Sequence, residues 1–328
     1  MKKSAMLLLW MGAAISISEV LTGGLLSPLG LGYGLAAIFI GHIIGAVILG
    51  IGGYISFSRK ENAMDSVIFS LGRTGGKLVA LCNVAQLLGW IIILVVEAST
   101  AITLAIPGLP FWAVALVLSL AQMIWALIFG SPGGRINDIA VALLAILCTL
   151  LFAEASKGIV SIAGFSGSSM NITLGIELSI AMPVSWLPLV GDYSCKADSK
   201  FTATGMPFIG YFTASCLMYI IGLFIGISNG GDIFGFIAAS QFRYAACVVL
   251  FLSTITTNFI AIYSAALSSG KLLKTKNLRT RILTIGILLP LRPPFFRWTG
   301  STIPSPPFLP SSAPFLSRCT RRYSLSIF

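Results

Sequence analysis

The chain has 328 residues, of which 56% are hydrophobic and only 9% charged, and its mean hydropathy is +0.96. Soluble domains carry about 25% charged residues, so the composition excludes a soluble globular protein and describes a polytopic membrane protein. The net charge of +11 calls for no nucleic-acid partner, because Lys and Arg determine topology and can meet anionic lipid heads.

Apolar segments of about 20 residues predict eight spans, at roughly 5–27, 33–57, 78–104, 111–129, 137–154, 172–190, 204–227 and 242–268. The start, Met1-Lys2-Lys3 and then an apolar run, resembles a secretory signal. The run continues past the usual 7 to 15 residues of such a signal, roughly, so it is read as the first span. Within it lies Glu19, one turn before Gly23-Gly24. A carboxylate at the centre of a span costs about 2.5 to 3.5 kcal/mol on insertion scales and is kept where it meets a cavity, an ion or a substrate. The run from Ser18 to Gly24 is therefore predicted to be an unwound binding segment.

The second span is glycine-rich (Gly41, Gly45, Gly50, Gly52, Gly53) and holds the only histidine, His42. His42 reads as a helix-packing residue, with a proton relay as the alternative. In the third span Gln86, Trp90 and Glu97 share one helical stripe. An aromatic plane beside an amide suits a planar, hydrogen-bonding ligand; packing of Trp90 at a helix crossing is the other reading. Glu97 fits either a functional position or a hydrated helix end. The turn Gly130-Ser131-Pro132-Gly133-Gly134-Arg135 lacks the ending of a phosphate loop.

The sixth span contains Pro183 and Pro188. Two prolines break the helix ladder and free carbonyls, which is tolerated at membrane depth where backbone lines a cavity or is buried in protein. Interrupted first and sixth spans entering from opposite sides point to an inverted-repeat secondary transporter. The eighth span offers Ser253, Thr256 and Thr257 on one face, oxygen ligands for a hard cation together with carbonyls of an unwound helix. Back-bonding of these hydroxyls to their own helix is the default.

A ninth span begins near Ile282 and stops. Eight of the fifteen prolines follow in the last 39 residues, interleaved with arginines. Residues 1–288 are thus taken as the membrane domain, and 289–328 as an aberrant, frameshifted segment or a Pro-rich disordered tail. With the N-terminus inside, fourteen basic residues of the connections fall on the cytoplasmic side against two outside, Lys157 and Arg243. A multi-pass protein of the cell's inner (plasma) membrane with a cytoplasmic N-terminus is expected. The six cysteines are scattered without a CxxC pair, which argues against a disulfide framework or a zinc site. One histidine and no ligand spacing argue against an enzyme.

The broken sixth span followed by Gly191-Asp192-Tyr193-Ser194 resembles the cytoplasmic signature of the nucleobase:cation symporter family. The segments Trp10 to Gly34, Gln86 to Trp90, and Thr256-Thr257-Asn258-Phe259 through Tyr263-Ser264-Ala265 resemble its cytosine-permease branch, in particular hydroxymethylpyrimidine permeases. The resemblance covers about residues 1 to 288 and implies an all-α, LeuT-like fold of inverted five-helix repeats, with discontinuous helices 1 and 6 and an incomplete second repeat. It further implies symport of a pyrimidine with co-transported sodium or a proton. Glu19, Gln86, Trp90, Met182, Pro183 and Trp186 would then hold the substrate, and Ala14, Ile17, Ser253, Thr256 and Thr257 the cation. The family's Arg after Asp-Tyr-Ser is here Cys195, and the ninth helix is cut short. Inactivity through truncation is one expectation, and a carrier of the same fold for an amino acid or allantoin is another.

Overall fold

The computed structural model describes residues 1–128, 135–158, 167, 170–273 and 277–288. The chain divides into two units, Met1–Leu291 and Arg292–Phe328, and all described residues belong to the first. The tail beyond 288 and the turn 130–134 lie outside the described residues.

Every regular element among the described residues is helical. The first span is split into α1 (Lys3–Ala14) and α2 (Ile17–Leu25). A helix of twelve residues rises only about 18 Å, too little to cross a bilayer, so the two pieces share one crossing. A short 3-10 turn at Ser27–Leu29 leads into α3 (Gly30–Arg59). Next come α4 (Ala63–Ala105), α5 (Phe111–Ile128) and α6 (Arg135–Ala155). The sixth span is α7 (Ile172–Ser185) and α8 (Leu187–Ser194). After it follow α9 (Lys200–Ser228), a short α10 (Ile233–Ala239), α11 (Arg243–Ser269) and α12 (Leu278–Leu288). Six helical stretches are long and apolar enough to cross a membrane, and α1 and residues 139–155 add shorter apolar helices.

Four boundaries differ from the sequence expectation. The first span does not unwind over Ser18–Gly24, which lies inside α2; the break falls at Ile15 and Ser16. Ser16 is extended (φ −143, ψ 157) and its Oγ accepts from the Glu19 N–H at 3.3 Å, so it starts α2 as an N-cap. Gly23 stays helical because its lack of a Cβ admits the backbone of α9: a Cβ there would stand 2.3 Å from the Tyr219 carbonyl oxygen. In the sixth span Pro183 remains within α7 and the interruption is at Trp186, with Pro188 in the first turn of α8, where a missing N–H costs nothing. The third span extends back to Ala63 as a separate helical arm, set off by Gly72 in a left-handed conformation (φ 69). The short α10 between the seventh and eighth spans was not expected.

The core forms where α9 packs against α1, α2 and α3, where α3 packs on α7, and where α11 packs on α4. One face of α3 is buried and is mostly glycine and alanine, with Ile38, His42, Leu49 and Ser56 among them. The other presents Phe39, Ile40, Ile43, Ile44, Val47 and Ile51 outward, as a lipid-facing surface should. Asp192 of α8 is 1% exposed and accepts from Ser264 Oγ of α11 at 2.5 Å and from the Ala63 N–H at 3.1 Å. The Asp-Tyr-Ser segment thereby pins α8 to α11 and to the start of α4.

Candidate functional site

The two interrupted spans meet around one cavity. Its walls are Ala13, Ser16, Ser18 and Glu19 from the first span, Leu87, Trp90 and Leu94 from α4, Met182, Ser185 and Trp186 from the sixth span, and Thr257 and Ala261 from α11. Its volume is about 20 Å³, room for a single water, which needs about 10–15 Å³. Drug-sized ligands occupy pockets of roughly 300 Å³ or more, so this conformation leaves no room for one. Trp186 sits at the hinge of the sixth span with its ring 6.2 Å from that of Trp10 and 6.4 Å from that of Tyr211.

Of the six residues expected to hold substrate, four line the cavity: Glu19, Trp90, Met182 and Trp186. Gln86 stands one turn away and donates from Nε2 to the Ser185 carbonyl at 2.8 Å. Pro188 has no N–H and the Leu189 N–H bonds the Trp186 carbonyl at 2.9 Å, so the Ser185 carbonyl is released from the ladder and Gln86 caps it. Pro183 points to α3: a Cβ on Gly45 would come 2.4 Å from its Cγ. It shapes the helix rather than the cavity.

Glu19 is 2% exposed. Its Oε1 accepts from Tyr211 Oη at 2.5 Å and its Oε2 contacts Ser215 Oγ at 2.7 Å. His42 Nε2 contacts the same Ser215 Oγ at 2.6 Å, and His42 Nδ1 bonds the Ile38 carbonyl at 2.8 Å. Next to Glu19, Ser18 Oγ donates to the half-buried Glu97, so Glu97 belongs to the first span's surroundings and not to a hydrated end. Tyr211, Ser215 and His42 were absent from the expected site. A signal existed for two of them: Tyr211, Ser215 and Tyr219 recur every four residues on α9, a polar stripe in an apolar helix.

The five residues expected at a cation are all buried: Ala14, Ile17, Ser253, Thr256 and Thr257. Thr257 Oγ1 donates to the Gly12 carbonyl at 3.1 Å and ties α11 to the end of α1. Thr256 Oγ1 bonds back to Leu252 O at 3.0 Å and Ser253 Oγ to Leu250 O at 3.3 Å. Each hydroxyl keeps its oxygen lone pairs as a ligand would need, and the Ala13 and Ala14 carbonyls lie in the last turn of α1, where the helix supplies no donor. Among the described residues no cluster of three or more His, Cys, Asp or Glu could hold a metal ion.

No family model and no curated protein matches the sequence. Solved structures do match. Mhp1, a nucleobase-cation-symport-1 family transporter, in a closed conformation with bromovinylhydantoin bound, aligns with TM-score 0.76 at 14% identity over 92% of this chain and 73% of that one. The inward-facing conformation of Mhp1 aligns with TM-score 0.70, also at 14% identity, over 90% and 70%. An Eremococcus coleocola manganese transporter in complex with an aromatic bis-isothiourea compound aligns with TM-score 0.62 at 13% identity, over 88% and 69%. This likeness shows the fold, the LeuT-like helical architecture of membrane transporters with discontinuous first and sixth helices.

Proposed function

We propose that the chain is a secondary transporter of the nucleobase:cation symporter type that carries a pyrimidine, a hydroxymethylpyrimidine or a cytosine-like base, into the cell together with sodium or a proton. The observation that carries this reading is the cavity at the two helix breaks, with the planes of Trp90 and Trp186 and the carboxyl of Glu19 on its walls. Flat rings take up a flat heterocycle by stacking, and a buried carboxyl reads ring N–H and exocyclic amino groups. The hydantoin bound by Mhp1, a flat five-membered heterocycle, supports a ligand of this shape. The setting is the plasma membrane with the N-terminus cytoplasmic, as the distribution of basic residues suggests.

In the cycle, sodium bound by Ser253, Thr256, Thr257 and the carbonyls near Ala14 and Ile17 favours the outward-open state. The base then enters and the helix bundle rocks to the inward-open state. The chain's own part is to stack, to read polar edges and to close at Trp186. Proteoliposomes holding the full 328-residue chain test this with radiolabelled pyrimidines under imposed sodium and pH gradients. Uptake driven by either gradient is the expected result, competed by hydroxymethylpyrimidine or cytosine and not by free amino acids, allantoin or manganese. Trp90→Ala should raise the half-saturating concentration several-fold, since an aromatic pair contributes about 1 kcal/mol beyond area burial, while Trp90→Phe keeps most of the affinity. Competition by amino acids with indifference to Trp90 would replace the substrate class.

A further inference from the structure

A second hollow lies on the outside of the bundle, where α3 crosses α9. The two helices meet at glycine: a Cβ on Gly53 would stand 2.2 Å from the Ala203 carbonyl oxygen, and one on Gly50 3.1 Å from that of Thr204. Backbones that approach so closely leave a furrow beside the crossing, and Gly50 and Gly205 put no side chain into it. Val47, Ile51 and Tyr54 of α3 stand along one side and Phe208 of α9 along the other, around about 300 Å³. From Val47 to Tyr54 the furrow runs about 10 Å along α3. Thr204 Oγ1 bonds the Lys200 carbonyl of its own helix at 3.0 Å, so its hydroxyl brings no free donor to the walls. Val47, Ile51 and Tyr54 are exposed, on the face that α3 turns to lipid.

One end of the furrow is charged. Lys200 Nζ lies over the Tyr54 ring, 4.5 Å from its centre. The Phe201 ring leans on Gly205, where a Cβ would come 2.6 Å from Cε2, and Lys3 Nζ stands 5.8 Å from the centre of that ring. Both lysines are exposed. Asp198, two residues before Lys200, is taken by the Met1 ammonium at 2.6 Å. Among the described residues neither Lys3 nor Lys200 forms an ion pair with a carboxylate. A ring holds an exposed lysine only weakly, so both cations remain available to an anion.

We propose that the furrow between α3 and α9 binds one anionic phospholipid, with an acyl chain along Val47, Ile51 and Phe208 and the phosphate drawn to Lys200 and Lys3. Charge complementarity selects this occupant. An apolar furrow alone would accept any acyl chain, whereas two unpaired cations at one end favour a lipid of net negative charge over a zwitterionic one, whose ammonium meets the same lysines. Tyr54 stands between chain and headgroup, as an aromatic at a membrane interface does. The helix end beside it continues into Arg59 and Lys60, the pattern of a cytoplasmic face, and the leaflet there is negatively charged. The site is separate from the cavity at the helix breaks and does not depend on what that cavity carries.

Native mass spectrometry of the full chain tests this, with the protein released from nanodiscs of equimolar phosphatidylglycerol and phosphatidylcholine that share the same acyl chains. As the other lipids are stripped, one phosphatidylglycerol should stay on the monomer, in several-fold excess over phosphatidylcholine. Lys3→Gln and Lys200→Gln, both at exposed positions, should each lower that preference by about five-fold, the share of one basic residue at an anionic surface. Val47→Trp fills the furrow from its lipid side and should remove the retained lipid of either kind. Ile43→Trp, on the same exposed face but outside the furrow, should keep it, which separates loss of the site from loss of the fold. Equal retention of the two lipids, a preference that survives loss of both lysines, or a bound lipid that survives Val47→Trp would overturn the proposal. So would displacement by glycerol phosphate, which has the charge without the chain, or a dimer in place of the lipid-bearing monomer. No substrate enters the measurement, so failure of the pyrimidine assignment leaves its result standing.

Discussion

At the scale of single residues, the membrane interior makes each polar side chain conspicuous, and its partner is what the sequence hides. Glu19 stands out as a carboxylate in an apolar run, yet the groups that hold it, Tyr211 and Ser215, are 192 and 196 residues away. No periodicity connects such positions; only the packing of α2 on α9 does. Gln86 was recognisable as an amide in a span, but whether it faced ligand or backbone depended on which carbonyl the break at Trp186 released. The hydroxyls of α11 divide in the same way. Thr257 reaches across to Gly12 while Ser253 and Thr256 bond within their helix. Thr257→Ala should accordingly cost about 1 kcal/mol of stability and weaken any sodium dependence of uptake, with Thr257→Ser preserving both. Melting temperature and sodium titration of uptake are the measurements, and equal behaviour of the two variants would remove Thr257 from the cation site.

Elements were more legible than their joints. Hydropathy alone located the eight apolar segments, since burial in lipid requires about 20 apolar residues in a row. The joints depend on finer chemistry. Ser16-Ile17-Ser18-Glu19 has the spacing of a capping box, a readable signal that a helix starts at Ile17. Ser16 caps as that pattern prescribes, but the Glu19 side chain turns away to α9. Gly23-Gly24 looked like a break because glycine weakens helices, whereas in a membrane bundle it more often admits a neighbour. Gly222 of α9 makes the reciprocal approach: a Cβ there would stand 1.9 Å from the Val20 carbonyl oxygen. Gly222→Val should push α2 from α9 and lower the melting temperature of the detergent-solubilised chain by many degrees. Gly32→Ala, where a Cβ meets nothing within 4 Å, should be neutral or slightly stabilising. A tolerated Gly222→Val would contradict the close packing.

For the molecule as a whole, the cavity volume of about 20 Å³ leaves no room for a heterocycle, so the proposed transport requires further, more open states. Ala261 lines that cavity and is 2% exposed. In a background without the native cysteines, Ala261→Cys should react slowly with a small thiol reagent, and faster under the ion conditions that favour an open state. A rate indifferent to every ion and ligand condition would argue against alternation. The helical membrane fold with its broken first and sixth spans was accessible because composition and helix-breaking residues are properties of the chain read one segment at a time. The small size of the cavity was not, because it depends on how Trp186, Trp90 and Met182 are brought to one place by separate helices.

The Gln86 to Ser185 hydrogen bond, 2.8 Å long, also has a mechanical meaning. It ties α4 to the interruption of the sixth span, so a movement of α7 away from α4 must break it. A bond of this type has a net strength of about 0.5–1.5 kcal/mol, a modest tie between the two elements. Gln86→Leu should therefore leave the Ser185 carbonyl without a partner and lower the melting temperature, and an unchanged melting temperature would show that the bond contributes nothing.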